Sequence, residues 1–211
     1  MFDSINKSIT NKGLNLLLKE IYNLSHKKNK EGILYWIFLD SERIEDYKIF
    51  LDSIPASNKI GVVMRQKNRK NLYYKSKSLL RICKKKRFKF LISSNLATAR
   101  AIGADGVHYS KQINYAKKYR DMIVSCSCHG KNDFRRVKIL KADIVFISPL
   151  YSTESDKKKT PLGLKKISLL ANYIKCQYSV LGGVNYNNIK SLRNRGVSSV
   201  SGLGYIYSLF K

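Results

Sequence analysis

Acidic residues are scarce in this sequence. Asp and Glu number 14 against 41 Lys and Arg, a net charge of +27 over 211 residues. Proline is rarer still, at three, and no Gly/Ser-rich tract occurs. Nothing in the composition would build a flexible linker, so one domain is expected at this length. No apolar run reaches the roughly 18 residues of a membrane-spanning helix, so no membrane role is expected. The opening MFDSINKSIT lacks the apolar stretch of a secretory signal, which points to the cytoplasm. The four cysteines are Cys83, Cys126, Cys128 and Cys176; without export they make a poor disulfide framework. Cys126-x-Cys128-His129 is too tightly spaced for the usual zinc pair and has no second ligand pair. Small residues on a buried strand are the expected role of these thiols, and no metal site is expected.

Apolar material is plentiful: 44% of residues are hydrophobic and 11% aromatic. That suffices for one substantial core and excludes disorder despite the charge. Basic runs recur, at His26 to Lys30, Lys84 to Arg87 and Lys157 to Lys159. They would attract phosphate-rich partners, or they reflect a general bias toward Lys, Asn, Ile, Tyr and Ser. No nucleic-acid module accompanies them, so nucleic acid is not an expected partner.

Short apolar runs alternate with amphipathic segments. The runs are Ile33 to Leu39, Ile60 to Met64, Phe88 to Ile92, Gly106 to Tyr109, Met122 to Cys126, Ile144 to Ile147, Ser179 to Leu181 and Val197 to Ser201. Most are apolar on both faces, as buried parallel strands are. Helical spacing marks Asn71 to Lys86, Asn132 to Lys141 and Leu164 to Ile174. Gly103 and Gly196 stand where helix C-caps are wanted, and Asn185 where an N-cap is. The alternation predicts an α/β fold, a (β/α)8 TIM barrel, with a doubly wound sheet as the alternative. Residues 1–30 form an N-terminal helical extension and 31–211 the barrel. Leu14, Leu17, Leu18, Ile21 and Leu24 share one face of the extension's helix, which is expected to pack beneath the barrel.

Barrel chemistry gathers where strands end. The residues there are cations, hydroxyls and glycines, with few acids, which suits anion binding rather than carboxylate-pair catalysis. Gly182-Gly183-Val184 follows the seventh run, and Gly202-Leu203-Gly204 the eighth. Glycines let a backbone approach a ligand, and barrels commonly bind phosphate at these two places; the alternative is tight turns alone. Arg65-x-Lys67 puts two cations on one side of a strand end, for a pyrophosphate or as a solvated basic loop. Ser127 and His129 would point the same way, and His129 could move protons. His108, ending the fourth run, is expected to be structural.

These residues resemble the thiamine phosphate synthase and TenI (thiazole tautomerase) family. Ile102 to His108 is similar to its G-A-D-G-V-H segment, and Ser127-x-His129 to its S-x-H. Ser148 to Ser155 resembles its G-P-V-F-x-T-x-T loop, followed by lysines and Pro161-Leu162-Gly163-Leu164. Leu181-Gly182-Gly183-Val184 resembles I-G-G-I. The resemblance runs from about Lys59 onward and itself implies the barrel.

It implies a phosphorylated thiazole as ligand, its phosphate at Gly182, Gly183, Gly202 and Gly204 with Thr153 and Ser155 assisting. It also implies a pyrimidine diphosphate, contacted by Arg65, Lys67, Ser127 and Lys157, with Ser93 near the substrate. The family's Q-x-R-x-K is Val63-Met64-Arg65-Gln66-Lys67 here. Its N-D pair falls on Ser93-Ser94 and a later acid near Ile113, so both magnesium-binding acids of the synthase are missing. No tightly bound cofactor is expected, with magnesium only if the synthase reaction is retained. Asp105 and Asp40 are the acids that could replace the missing pair. The expectation is a thiamine-metabolism enzyme, either a synthase or a metal-independent tautomerase using His129. A non-catalytic polyanion-binding barrel is the third reading, and a homo-oligomer is compatible with all three.

Overall fold

The computed structural model describes residues 10–24, 32–39, 44–65, 71–115, 118–153, 159–207 and 209. Eight parallel strands close into a barrel in chain order. They are β1 (Tyr35–Leu39), β2 (Ile60–Met64), β3 (Lys89–Ser93), β4 (Gly106–Tyr109), β5 (Ile123–Cys128), β6 (Ile144–Ile147), β7 (Gln177–Leu181) and β8 (Ser199–Ser201). Closure is made by β1 on β8, with Tyr35 opposite Val200 and Trp36 opposite Ser201. That closure excludes the doubly wound sheet, which is open and keeps two unpaired edges.

Alternation along the strands separates two apolar layers. Trp36, Phe38, Val63, Leu91, Ile144 and Phe146 fill the barrel interior. Ile37, Leu39, Val62, Phe90, Val145 and Val180 face outward into a larger core shared with the helices. Gly61 is what admits Trp36: a β-carbon there would lie 2.2 Å from the indole ring. Cys126 and Cys128 also face this outer core, where burial pushes their thiols up to about 12 and about 11. They are inert packing residues, as expected from the sequence.

The helices are α1 (Asn11–Leu24), α2 (Tyr47–Asp52), α3 (Leu72–Lys86), α4 (Leu96–Ile102), α5 (Phe134–Ile139), α6 (Gly163–Ala171) and α7 (Gly204–Tyr207). Local capping sets several ends. Asp46 accepts from the amides of Lys48 and Ile49 before α2, and Gly103 closes α4 in the left-handed region. Lys86 of the basic run Lys84 to Arg87 is turned inward, donating to the carbonyls of Asp52 and Ile54.

Two expectations are corrected. Helix α1 lies on the flank of the barrel against β8 rather than beneath it, and Tyr205 of α7 donates to Glu20 at 2.7 Å. The physical reason is that α7 is a single turn, so the outer face of β8 needs another cover, and the apolar face of α1 supplies it. Asn185 caps no α-helix. Its side chain accepts from the Asn187 amide at 2.9 Å, but only turns and a 3-10 segment, Ile189–Leu192, follow.

Candidate active site

The C-terminal rim of the barrel carries the predicted residues. Arg65 follows β2 and lies 4.8 Å above the Phe38 ring, a cation over the aromatic floor of the mouth. Ser93 ends β3 opposite His108. Ser94 donates its amide to the His108 carbonyl at 2.7 Å, and its hydroxyl is 3.1 Å from that of Ser110.

His108 is completely buried between Phe38 and Phe146, with both ring centroids 5.4 Å away. Its Nδ1 is 3.1 Å from Ser125 Oγ and its Nε2 is 3.2 Å from Ser127 Oγ. Its pKa falls well below the usual value, through burial first and then the charges of Arg65, Arg136 and His129. It is therefore a neutral interior group, as its expected structural role requires. Ser127 is buried and turned toward His108, and no hydrogen bond joins it to His129.

His129 follows β5 and is half-buried. Its amide donates to Asp133 at 2.7 Å, and its Nδ1 is 2.8 Å from the Ser148 carbonyl after β6. A carbonyl only accepts, so in the neutral ring Nδ1 carries the hydrogen and Nε2 is left as the basic nitrogen.

After β6 the chain folds over the glycine pair that follows β7. Leu150 and Tyr151 donate their amides to the carbonyls of Leu181 and Gly182, at 2.9 and 3.1 Å. Gly183 has φ 70°, and a β-carbon on it would lie 2.6 Å from both the Ser152 carbonyl oxygen and Tyr151 Cβ. The same loop brings the Thr153 methyl within 3.1 Å of where a Gly182 β-carbon would be. Glycine is thus demanded here by the loop's own backbone, whatever binds above it. At β8 the Gly202 amide is spent on the Trp36 carbonyl at 3.0 Å. Gly204 opens α7, and nothing lies within 4 Å of where its β-carbon would be.

The structure thus places Ser127, His129, Thr153, Gly182 and Gly183 along β5 to β7, and Arg65 and Ser93 along β2 and β3. Lys67, Ser155, Lys157 and Asp40 lie outside the described residues. Asp105 is at the opposite rim, where it binds Lys89 and the Phe90 amide, and so is no substitute for a mouth carboxylate.

One residue escaped the sequence reading. Arg136 of α5 is buried, and donates to the carbonyls of Ser110 at 3.0 Å, Ile113 at 3.4 Å and Ser127. It ties the β4 loop to the end of β5. The signal was its spacing, since 133, 136, 137 and 140 share one helical face, but charge disguised it as a solvated position. A cavity of about 1440 Å³ lies at the N-terminal rim, lined by Ile33, Trp36, Ile144 and Tyr178. It stands away from the end of a barrel that carries chemistry.

The family described as thiamine monophosphate synthase matches residues 39–206. The chain belongs to the thiamine monophosphate synthase and TenI family. It is 28% identical over 167 residues to the thiamine-phosphate synthase of Fusobacterium nucleatum, covering 74% of this chain and 81% of that one. Identity is 29% over 194 residues to the thiamine-phosphate synthase of Prochlorococcus marinus subsp. pastoris, where 86% of this chain spans 54% of that one. Among solved structures, thiamine phosphate pyrophosphorylase from Pyrococcus furiosus superposes with a TM-score of 0.65 at 18% identity, covering 82% of this chain and 86% of that one. The YdjI aldolase from Escherichia coli shares the fold at a TM-score of 0.57 and 10% identity. The barrel alone therefore does not select a reaction. No helix among the described residues is long and apolar enough to cross a membrane.

Proposed function

We propose that this family member joins a pyrimidine diphosphate to a phosphorylated thiazole, without a magnesium ion held by protein carboxylates. The observation that carries the reading is Arg65 poised over Phe38 at the mouth. A guanidinium above an aromatic floor suits an aromatic ring bearing a diphosphate: the ring packs on apolar surface while the anion meets the cation. The relatives named thiamine-phosphate synthase support a synthase reading. Cations from this chain would offset the charge that develops on the departing pyrophosphate.

The donors at the positions of the family's acids do not suit magnesium, a hard cation that prefers carboxylate and water oxygens. Ser93 and Ser94 offer hydroxyls, and the Ile113 carbonyl already accepts from Arg136. Among the described residues no group of three or more His, Cys, Asp or Glu is assembled that could hold a metal.

A second reading rests on His129. Its Nδ1–H faces the Ser148 carbonyl, leaving Nε2 to take or return a proton on a thiazole phosphate carboxylate, as a tautomerase requires. The test is an assay of purified protein with pyrimidine diphosphate and thiazole phosphate, in magnesium and in EDTA. In parallel, proton exchange is followed on thiazole phosphate carboxylate. Coupled product in EDTA supports the first reading. Exchange without coupling, abolished by His129→Asn, supports the second. If neither pair reacts, the polyanion-binding barrel is the better account.

A further inference from the structure

Several loops of the mouth meet through one buried ion pair. Asp133 ends the 3-10 turn Lys131–Asp133, and Arg136 lies three residues on, in α5. Both are buried, with Arg136 Nε 3.7 Å from Asp133 Oδ1. Arg136 Nη1 donates to the carbonyls of Ser110 at 3.0 Å and Ile113 at 3.4 Å, and Nη2 to that of Ser127. Asp133 Oδ2 accepts from the His129 amide at 2.7 Å. The pair thus touches the loop after β4 and the backbone on both sides of residue 128. One step further out, Ser110 Oγ is 3.1 Å from Ser94 Oγ after β3, and the His129 ring is 2.8 Å from the Ser148 carbonyl after β6.

Taking a guanidinium and a carboxylate out of water is costly, and an apolar pair of similar volume often packs as well or better. What an apolar pair cannot do is join carbonyls. The three carbonyls at Ser110, Ile113 and Ser127 only accept, so they need a common donor to be held together. Arginine presents a rigid, planar fork of donors and keeps its charge at any pH at which a protein folds, whereas lysine is a point donor on a flexible stem. The family resemblance puts the missing magnesium-binding acids at Ser93-Ser94 and near Ile113, on these same loops. Hydroxyls and a carbonyl stand there instead, and the cation bound to the loop after β4 is the chain's own guanidinium.

We propose that Asp133 and Arg136 are positioning residues: they hold the loop after β4 against the end of β5 and fix the backbone of His129, so that this side of the mouth keeps its shape with no metal ion joining its loops. The inference rests on the reading that the reaction takes place at this mouth, and it holds for either of the two reactions above.

The test uses the full-length protein and two variants. Asp133→Asn/Arg136→Met removes both charges together, so neither is left buried alone; the asparagine oxygen can still accept from the His129 amide, and the tie to the three carbonyls is cut. Arg136→Lys keeps a cation beside Asp133 but not the fork. Hydrogen exchange read by mass spectrometry is followed in magnesium and in EDTA. In the double variant residues 110–113 should exchange at least about tenfold faster, the scale of one lost charge-assisted hydrogen bond, while β1 and β2 stay unchanged. Arg136→Lys should follow the double variant, and wild type should exchange alike in magnesium and EDTA. Unchanged exchange at 110–113 in the double variant overturns the proposal, and so does an increase spread evenly over all eight strands, which is a packing role alone. Wild-type protection in Arg136→Lys shows that charge suffices without the fork, and slower wild-type exchange in magnesium shows that an ion joins these loops; either result overturns it. In whichever assay the wild type is active, the double variant should lose kcat at least about tenfold with KM within about threefold, as misplaced reacting groups require. A raised KM with unchanged kcat overturns the positioning role. If the wild type is inactive in both assays, the enzymatic readings fail, and the exchange measurements still decide whether the pair holds the mouth.

Discussion

His108 shows how one side chain ties stability to pH. An imidazole in the unfolded chain titrates near 6.5. Burial, then the charges of Arg65, Arg136 and His129, hold the folded value well below that. Between the two values the unfolded chain binds a proton that the folded chain does not. The stability contributed by keeping His108 neutral is therefore complete above about pH 6.5 and is lost as pH falls toward the folded value, by at most about 1.4 kcal/mol per pH unit. Denaturant unfolding of wild type and His108→Gln between pH 7.5 and 5.5 should show the wild type losing more stability by up to that slope. Parallel losses would mean that the ring is not held neutral. His129 sits a short distance away under a different constraint: its ring is pinned to the Ser148 carbonyl, so its Nε2 is available at the mouth.

The loops after β6, β7 and β8 behave differently toward the same substitution. Gly183 is enclosed by Tyr151 and Ser152 and has a positive φ, whereas the β-carbon position of Gly204 is open. Gly183→Val should lower stability by roughly 1–3 kcal/mol through overpacking and backbone strain, and move the 148–153 loop. Gly204→Val should leave the melting temperature within about 2 °C, a change on the order of 0.5 kcal/mol. If the start of α7 meets the ligand phosphate, the same variant should weaken thiazole phosphate binding. Calorimetry with both variants separates the loop's demand for glycine from the ligand's. Equal affinity in Gly204→Val and wild type would remove Gly204 from the phosphate site.

At the scale of the whole molecule, α1 closes the core. Leu14, Leu17, Ile21 and Leu24 are buried in the same apolar cluster as the outer faces of β1 to β8. Leu17→Ala should cost about 2–5 kcal/mol, the usual range for a buried leucine. It should shift one cooperative unfolding transition rather than remove a separate one. A helix merely appended to a finished barrel would instead leave the main transition in place, and circular dichroism during melting distinguishes the two.

The sequence by itself determined the barrel. Eight apolar runs at a steady pace, with helical stripes between them, leave few other ways to bury both faces of every strand. It also determined which residues reach the C-terminal rim, because a strand's end is a local property. Arg65, Ser127, His129 and the glycine pairs were legible for that reason. What only the tertiary structure decided is where each of those groups is directed. Ser127 looked like a partner of His129 because side chains two apart on a strand share a face, yet it turns to His108 on the neighbouring strand. Arg136 looked solvated because it is charged, yet it donates to three backbone carbonyls, two in the loop after β4 and one at the end of β5. Gly183 looked made for a ligand, yet it first makes room for a loop thirty residues earlier in the chain. Each of these depends on register between strands and on loops meeting across the mouth. Such contacts join residues far apart in sequence, and no local pattern carries their geometry.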